Sequence, residues 1–416
     1  MTRPTVARVD LAAIEHNFRA ISEFLSVSVE PQPAGRTPSS ARSAPRVIAV
    51  VKANAYGHGA VPVGLALERA GAAMLACADI EEGVVLRRGG VRIPILVFGA
   101  LGVSDLDGVF EYDLTPTIST PSAARALAAK SRSVPNLRRG GANWGQTPIA
   151  PPGAQVGVRP PLGYHLKVDT GMNRLGFRHD NLERTLPELA ASPDLKVEAV
   201  YTHFATADDP ESTQFPLQRE RFEQALQKID ALGLKPRYRH AANSAALLRD
   251  ERTWYDFVRP GLLLYGVVPP PLASTLPLRP ALSLHSRIVH VKGVRAGEAT
   301  GYGLKMPFAE PATIAVVPAG YADGLDRRLA GNGYMLVRGR RTPIVGSVCM
   351  DMTMIDVTGM DVRPGDEVVI IGEQADESIG VREMAAAIGT IPYELLCRVG
   401  TRIERVYPGT SDHETR

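Results

Sequence analysis

VIAVVKANAYGHGAVPVGLALERAGAAMLACAD, residues 47–79, carries a strand, a helix and a second strand in one short run. Val47–Val51 is short, apolar and β-branched, the pattern of a strand buried on both faces. The spacing over Val61–Ala70 predicts a helix, and MLACAD (74–79) is apolar again. Strand, helix, strand is the unit from which parallel sheets are built. Lys52 is the first residue beyond the first strand. A lysine there can snorkel to solvent. It can also sit at the mouth of an apolar cavity, where desolvation lowers its pKa and makes its amine a nucleophile able to form a Schiff base.

The same unit recurs in both directions. Asp10 is placed to cap a helix over Leu11–Leu25. ILVFG (95–99) precedes a helix near Val103–Phe110, and LTPTI (114–118) precedes Ser122–Lys130. YHLKVD (164–169), VEAVYTHFA (197–205) before a helix at Glu220–Leu232, YRHAANS (238–244) and FVRPGLLLYG (257–266) follow. About eight strands repeating every 30 residues or so predict an α/β fold, a (β/α)8 TIM-type barrel. An open doubly wound sheet is the alternative, but no G-x-G-x-x-G follows the first strand.

From residue 271 the pattern changes. Pro269–Pro271 and Pro277 mark a linker, and ATIAVVPAG (312–320), YMLVRGR (334–340) and DEVVIIGE (366–373) read as strands between Gly-rich turns. The division is therefore a barrel over 11–270 and a C-terminal mostly β domain over 271–416, with 1–10 open to joining the latter. Segments 26–46 and 131–161, rich in Pro, Gly, Ser and Arg, read as solvated surface insertions.

Composition narrows the function. Lys plus Arg number 47 against 44 Asp plus Glu, a net charge of +3, which makes no case for nucleic acid or a membrane surface as partner. A small substrate is expected. Cys77, Cys349 and Cys397 stand singly, the N-terminal stretch lacks an apolar signal core, and no stretch nears the length of a membrane span. These features point to the cytoplasm. The nine histidines form neither H-E-x-x-H nor a paired spacing with cysteine, so no metal is expected.

In a barrel, chemistry gathers at the C-terminal ends of the strands. Lys52 and Tyr56, Lys167 and Arg174, His203, Asn243 with Ser244, and Arg259 with Gly261 all fall there. Each alone has an ordinary reading: His203 bonded to a carbonyl, Ser244 a helix cap, Arg259 half of an ion pair. Recurring at one end of strand after strand, they describe a site. A Schiff-base lysine beside a serine at a helix start and an exposed glycine N–H suits an aldehyde carrying a phosphate, and pyridoxal phosphate fits.

AVVKANAYGHG (49–59), KVDTGMNRLG (167–176), YTHFATAD (201–208), HAANSAA (240–246), VRPGLLLYG (258–266), ATGYG (299–303), AGYADG (319–324) and VGSVCMDMTMID (345–356), in that order, resemble the alanine racemases of fold type III. The resemblance runs along nearly the whole chain apart from the two insertions. It implies a pyridoxal-phosphate racemase interconverting L- and D-alanine, an isomerase whose D-alanine supplies cell-wall peptidoglycan. It implies a cofactor held on Lys52, with Tyr56, Arg174, His203, Ser244, Arg259, Gly261 and Leu262 around it. Two bases must flank the α-carbon, because one base would retain configuration. The resemblance gives Lys52 the D-face and Tyr302 the L-face, with His203 beside Tyr302 and linked onward to Arg259. Arg259 would face the pyridine nitrogen, donating without giving up its proton. Arg174, Met350, Asp351 and Tyr321 would form the substrate pocket, and Lys167 matches a lysine that carries a carbamate in many members. The resemblance also implies a two-fold homodimer with shared sites.

One position departs from the pattern. Where the family offers a tyrosine hydroxyl to the phosphate, the sequence after Cys397 presents Thr401, which is shorter. Serine as substrate, an amino-acid decarboxylase of the same fold and a non-catalytic pyridoxal-phosphate carrier are the rival readings. A decarboxylase would be expected to place a carboxylic acid where Arg259 stands, and a carrier would need neither Tyr302 nor the second domain.

Overall fold

The structure is a computed structural model and describes residues 3–27, 44–101, 106–133 and 160–409. The insertions read at 26–46 and 131–161 lie largely outside the described residues, as does part of the helix expected at Val103–Phe110, of which Asp107–Glu111 is described.

Eight parallel strands form a closed barrel: β2 (Arg46–Val50), β3 (Met74–Cys77), β4 (Ile95–Val97), β5 (Thr115–Ile118), β6 (Leu162–Asp169), β8 (Leu195–Tyr201), β9 (Tyr238–Asn243) and β10 (Phe257–Arg259), following β1 (Val6–Val9) in the chain. The two-residue β7 (Phe177–Arg178) pairs only with the end of β6. Closure is made by the β5–β6 pairing, which leaves no edge and settles the choice against an open sheet.

The helix preceding β2 shows why such a barrel forms. Leu11, Ile14, Phe18, Ile21 and Leu25 are buried at alternating spacings of three and four, a single apolar stripe. Each such side chain, fully buried, contributes about 1.5–3 kcal/mol. Asp10 Oδ1 accepts from Ala13 N at 2.9 Å and starts the helix, as its cap position predicts. In β2, Val47–Val50 are all buried.

The barrel interior is unusually polar. Thr117, His165, Lys167, Tyr201, His240 and Arg259 are all buried, while Ile48, Leu75, Leu96 and Val200 pack the apolar shell. Several of these groups pair with one another, Thr117 with Tyr201 at 3.1 Å and His240 with both His165 and Arg259, while His165 Nε2 is buried without a partner among the described residues.

Beyond an irregular connection, β11 (Leu282–Arg287) enters a ten-stranded, mainly antiparallel second sheet. The stretches read as strands appear at Ala312–Val317, Tyr334–Val337 and Glu367–Gln374. β1 belongs to this sheet: it pairs antiparallel with β11 and parallel with Glu404–Val406. A helix at Pro392–Arg398 returns to the barrel, where Leu396 packs on Gly57 so closely that a Cβ there would lie 2.2 Å from its carbonyl oxygen.

Candidate active site

Lys52 lies one residue beyond the end of β2, after Val51, and is half-buried. Behind it the chain makes a left-handed turn: Ala53, Asn54 and Ala55 have φ of 53° and Tyr56 52°. Left-handed backbone costs roughly 1–2 kcal/mol per non-glycine residue, so other contacts must hold it. The turn swings Tyr56 into the interior, its ring 4.9 Å from that of Tyr265.

Tyr56, Ser244, Gly261 and Leu262 converge into a cradle. Ser244 Oγ accepts from Gly261 N at 2.9 Å. A Cβ at Gly261 would lie 2.4 Å from the Tyr56 hydroxyl, so only glycine keeps this cradle open. Hydroxyls and main-chain N–H groups gathered around a gap that a side chain would fill are the donor set a phosphate needs.

The strand ends also carry a group of cations. Arg259 is buried and faces no carboxylate; Nη1 donates to His240 Nδ1 (2.9 Å), and Nη2 to Thr202 O (2.8 Å), Ala241 O (2.9 Å) and His203 Nδ1 (3.3 Å). Burial lowers it to about 10, so it stays a cation at neutral pH. Because guanidinium only donates, both imidazoles must accept through Nδ1 and carry their hydrogen on Nε2. His240 Nε2 passes that hydrogen bond to His165 Nδ1 at 3.0 Å, and Tyr201 stacks flat on His240 at 4.7 Å. Burial, then the charge of Arg259, holds His203 and His240 well below the usual imidazole range, so both are neutral.

Lys167 on β6 is buried and held at about 8 by burial, then by Arg174 and Arg259. Lys52 is lowered by burial and then by Arg174. Lys52, Lys167, Arg174 and Arg259 thus share one barrel mouth, and two amines there are easily deprotonated. Such a mouth fits a group with a phosphate at one end and an aldehyde and phenolic oxygen at the other: the cradle suits the first, the amines and Arg174 the second.

The residues singled out in the barrel therefore come together. Tyr302, Tyr321, Met350 and Asp351 do not join them: among the described residues none of the four has a hydrogen bond or ring contact with the barrel-mouth group. Tyr302 is 77% exposed, Met350 51% and Tyr321 42%. Asp351 pairs instead with Arg402 at 2.6 Å.

Thr401 is corrected. It lies in an exposed turn, and the tyrosine beside the cradle is Tyr393, whose ring is 5.9 Å from that of Tyr56. Sequence reading passed over it. The signal was the Ile-Pro-Tyr-Glu run, a proline at a helix start that puts Tyr393 in the first turn of Pro392–Arg398.

Residues 36–269 match the family model "Alanine racemase, N-terminal domain" and residues 281–407 "Alanine racemase, C-terminal domain". The alanine racemase of Symbiobacterium thermophilum is 40% identical over 98% of this chain and 98% of its own. That of Carboxydothermus hydrogenoformans is 40% identical over 97% and 100%. Among solved structures, the alanine racemase of the D-cycloserine producer Streptomyces lavendulae superposes with a TM-score of 0.86 at 31% identity, covering 100% of both chains. The Bacillus anthracis enzyme with bound L-Ala-P gives 0.80 at 36%, covering 98% and 95%. With both domains matched and relatives 40% identical from end to end, the chain belongs to the alanine racemase family, pyridoxal-phosphate-dependent isomerases that interconvert L- and D-alanine.

Proposed function

We propose that racemisation here runs between two bases drawn from two copies of the chain, Lys52 of one subunit and Tyr302 of the partner subunit. When bound, pyridoxal phosphate draws electrons from the α-carbon and so acidifies its proton. Lys52, Tyr56, Arg174, Ser244, Arg259, Gly261, Leu262 and Tyr393 are the residues that would hold it. The observation carrying this reading is the contrast between the barrel mouth and Tyr302. The mouth offers Lys52 and Lys167, both amines with lowered pKa, while Tyr302, the phenol, is 77% exposed and among the described residues touches neither.

The rest follows from chemistry. The Lys52 amine exchanges the α-proton on the D-face, and the phenol of Tyr302 of the partner subunit does so on the L-face. A phenol titrates near 10, so it needs a donor to its oxygen. His203, neutral with its hydrogen on Nε2, supplies one. Arg259 holds His203 through Nδ1 and keeps the ring-nitrogen side of the site supplied with donors only. Arg174 grips the substrate carboxylate, and Met350, Asp351 and Tyr321 of the partner subunit close the pocket.

Tyr302, Leu304, Met306, Tyr321, Met350 and Met352 are all exposed on the second domain, an apolar face suited to a second copy. The barrel is assigned to 11–270 and the β domain to 271–416 with β1. A cytoplasmic location suits the three free thiols, and no described helix is long and apolar enough to cross a membrane. Lys167, held at about 8, has the neutral fraction a carbamate requires; a 13C-bicarbonate resonance that survives Lys167→Met would refute that assignment.

The test is a chiral assay of the purified protein with L-alanine and L-serine, joined to borohydride reduction and peptide mapping. D-alanine should appear and the cofactor should be fixed on Lys52. A tag on another lysine overturns the reading.

A further inference from the structure

Glu82 sits in the first turn of the helix Ile80–Arg88, three residues after its cap Asp79, whose Oδ1 accepts from Glu82 N at 2.8 Å. In a capping box the glutamate would reach back to the N–H of the cap residue itself. Here its carboxylate goes elsewhere. Oε1 accepts from Ala53 N at 2.6 Å, and Oε2 from Ala78 N at 2.7 Å. Ala53 follows Lys52 and opens the left-handed turn; Ala78 follows β3. One side chain thus ties together the ends of two neighbouring barrel strands at the active-site mouth.

Other tethers hold the far end of the turn. His58 Nδ1 bonds the carbonyls of Ala55 and Tyr56, Asn54 Oδ1 accepts from Ala60 N at 2.7 Å, and Arg405 Nε donates to Gly57 O at 3.0 Å. Among the described residues, Glu82 is the side chain that bonds the peptide N–H directly after Lys52; the carbonyl before it, Val51 O, accepts from Ala55 N at 2.8 Å. Its carboxylate also lies among the charged or titratable groups around the Lys52 amine, the others being Arg174, Arg259, Cys397, Lys167 and His203. We propose that Glu82 is a positioning residue for racemisation. It holds Ala53 so that Lys52 points to the α-carbon and Tyr56 to the cradle, and it sets a carboxylate near the Lys52 amine. The proposal rests on Lys52 being the cofactor lysine.

Glu82→Gln keeps the shape and one acceptor but loses the charge and presents an amide NH2 to a backbone N–H. Glu82→Asp keeps the charge but is one methylene too short to bond both. For holoenzyme, both variants should lose kcat by about 10–100-fold, the scale of small misplacements at a reacting centre, with thermal midpoints within a few degrees of wild type. A second readout uses apoprotein: acetic anhydride labelling of the Lys52 peptide across the range in which lysine titrates, quantified by mass spectrometry. Glu82 opposes the lowering of Lys52, so its removal in Glu82→Gln should move the labelling profile to lower pH, whereas Glu82→Asp should leave it nearer wild type. A side chain that only capped its helix would lower the thermal midpoint and leave kcat and the labelling profile unchanged; that result overturns the proposal. Borohydride mapping of wild type keeps the two failures apart. A tag away from Lys52 defeats the reading of the lysine, while a tag on Lys52 with unaltered variants defeats Glu82 alone.

Discussion

The rings of Tyr56 and Tyr393 lie 5.9 Å apart, centroid to centroid, joining the turn after Lys52 to a helix some 340 residues further along the chain. Burial raises both phenols, Tyr393 to about 12, so both are protonated and available as donors beside the cradle of Ser244 and Gly261.

Tyr393→Phe should therefore weaken cofactor retention. A hydrogen bond to a charged group is worth about 1.5–3 kcal/mol, or roughly 10- to 150-fold in dissociation constant. Thr401→Tyr, in its exposed turn, should change nothing. Equilibrium dialysis of pyridoxal phosphate checks both; equal retention in Tyr393→Phe removes that residue from the phosphate site.

Arg259 links function to stability. Arg259→Glu removes the donor to Thr202 O, Ala241 O and His240 Nδ1, and each orphaned buried acceptor costs about 1–3 kcal/mol, so a loss of about 3 kcal/mol or more is expected in urea unfolding. A carboxylate there also lets the group it faces keep a proton. Racemisation should slow and pyruvate should form from alanine by half-transamination, up to about one equivalent per bound cofactor, which would take the amino group. A variant as stable as wild type that forms no pyruvate contradicts both roles.

How much of this was legible in sequence differs from element to element. Val47–Val51 and its repeats are periodic and apolar, so the barrel showed through local pattern alone. Lys52, His203, Ser244 and Arg259 stand at strand ends, and strand ends are readable. Tyr393 was missed because it reaches the barrel from a helix of the other domain, a long-range contact without a local signature. The left-handed turn at 53–56 was also invisible. Ala-Asn-Ala-Tyr has only one residue that tolerates positive φ, and the contacts holding it, from Glu82 and Arg405, come from elsewhere in the chain.

His58 predicts a pH dependence. Burial lowers it to about 4, against 6.5 in the unfolded chain. Between those values the unfolded state binds the proton and the folded state does not, so stability falls as pH drops from about 6.5 toward 4. His165, lowered to about 3, extends the same trend further into acid. Thermal midpoints measured from pH 8 to 4 should decline through that window, and His58→Gln should flatten the slope even if it lowers the plateau. An unchanged slope would show that other groups carry the acid sensitivity.

The proposed two-chain site makes the sharpest prediction. Lys52→Ala or Tyr302→Phe alone should lose activity by about 10²–10⁴-fold, as expected for a positioned acid or base. Co-refolding the two inactive variants in equal amounts should give mixed dimers in about half of the molecules under random two-fold pairing. Each mixed dimer has one site with both defects and one with neither, because the barrel of the Tyr302→Phe chain keeps Lys52 and meets the intact Tyr302 of the partner subunit. Recovered activity should then approach about a quarter of wild type, the share of sites left whole by this pairing. Were both groups to come from one chain, every site would carry one defect and mixing would restore nothing. Mixed dimers demonstrated by a charge tag on one variant, yet inactive, therefore rule out the two-chain site, and recovery of activity rules out the one-chain alternative.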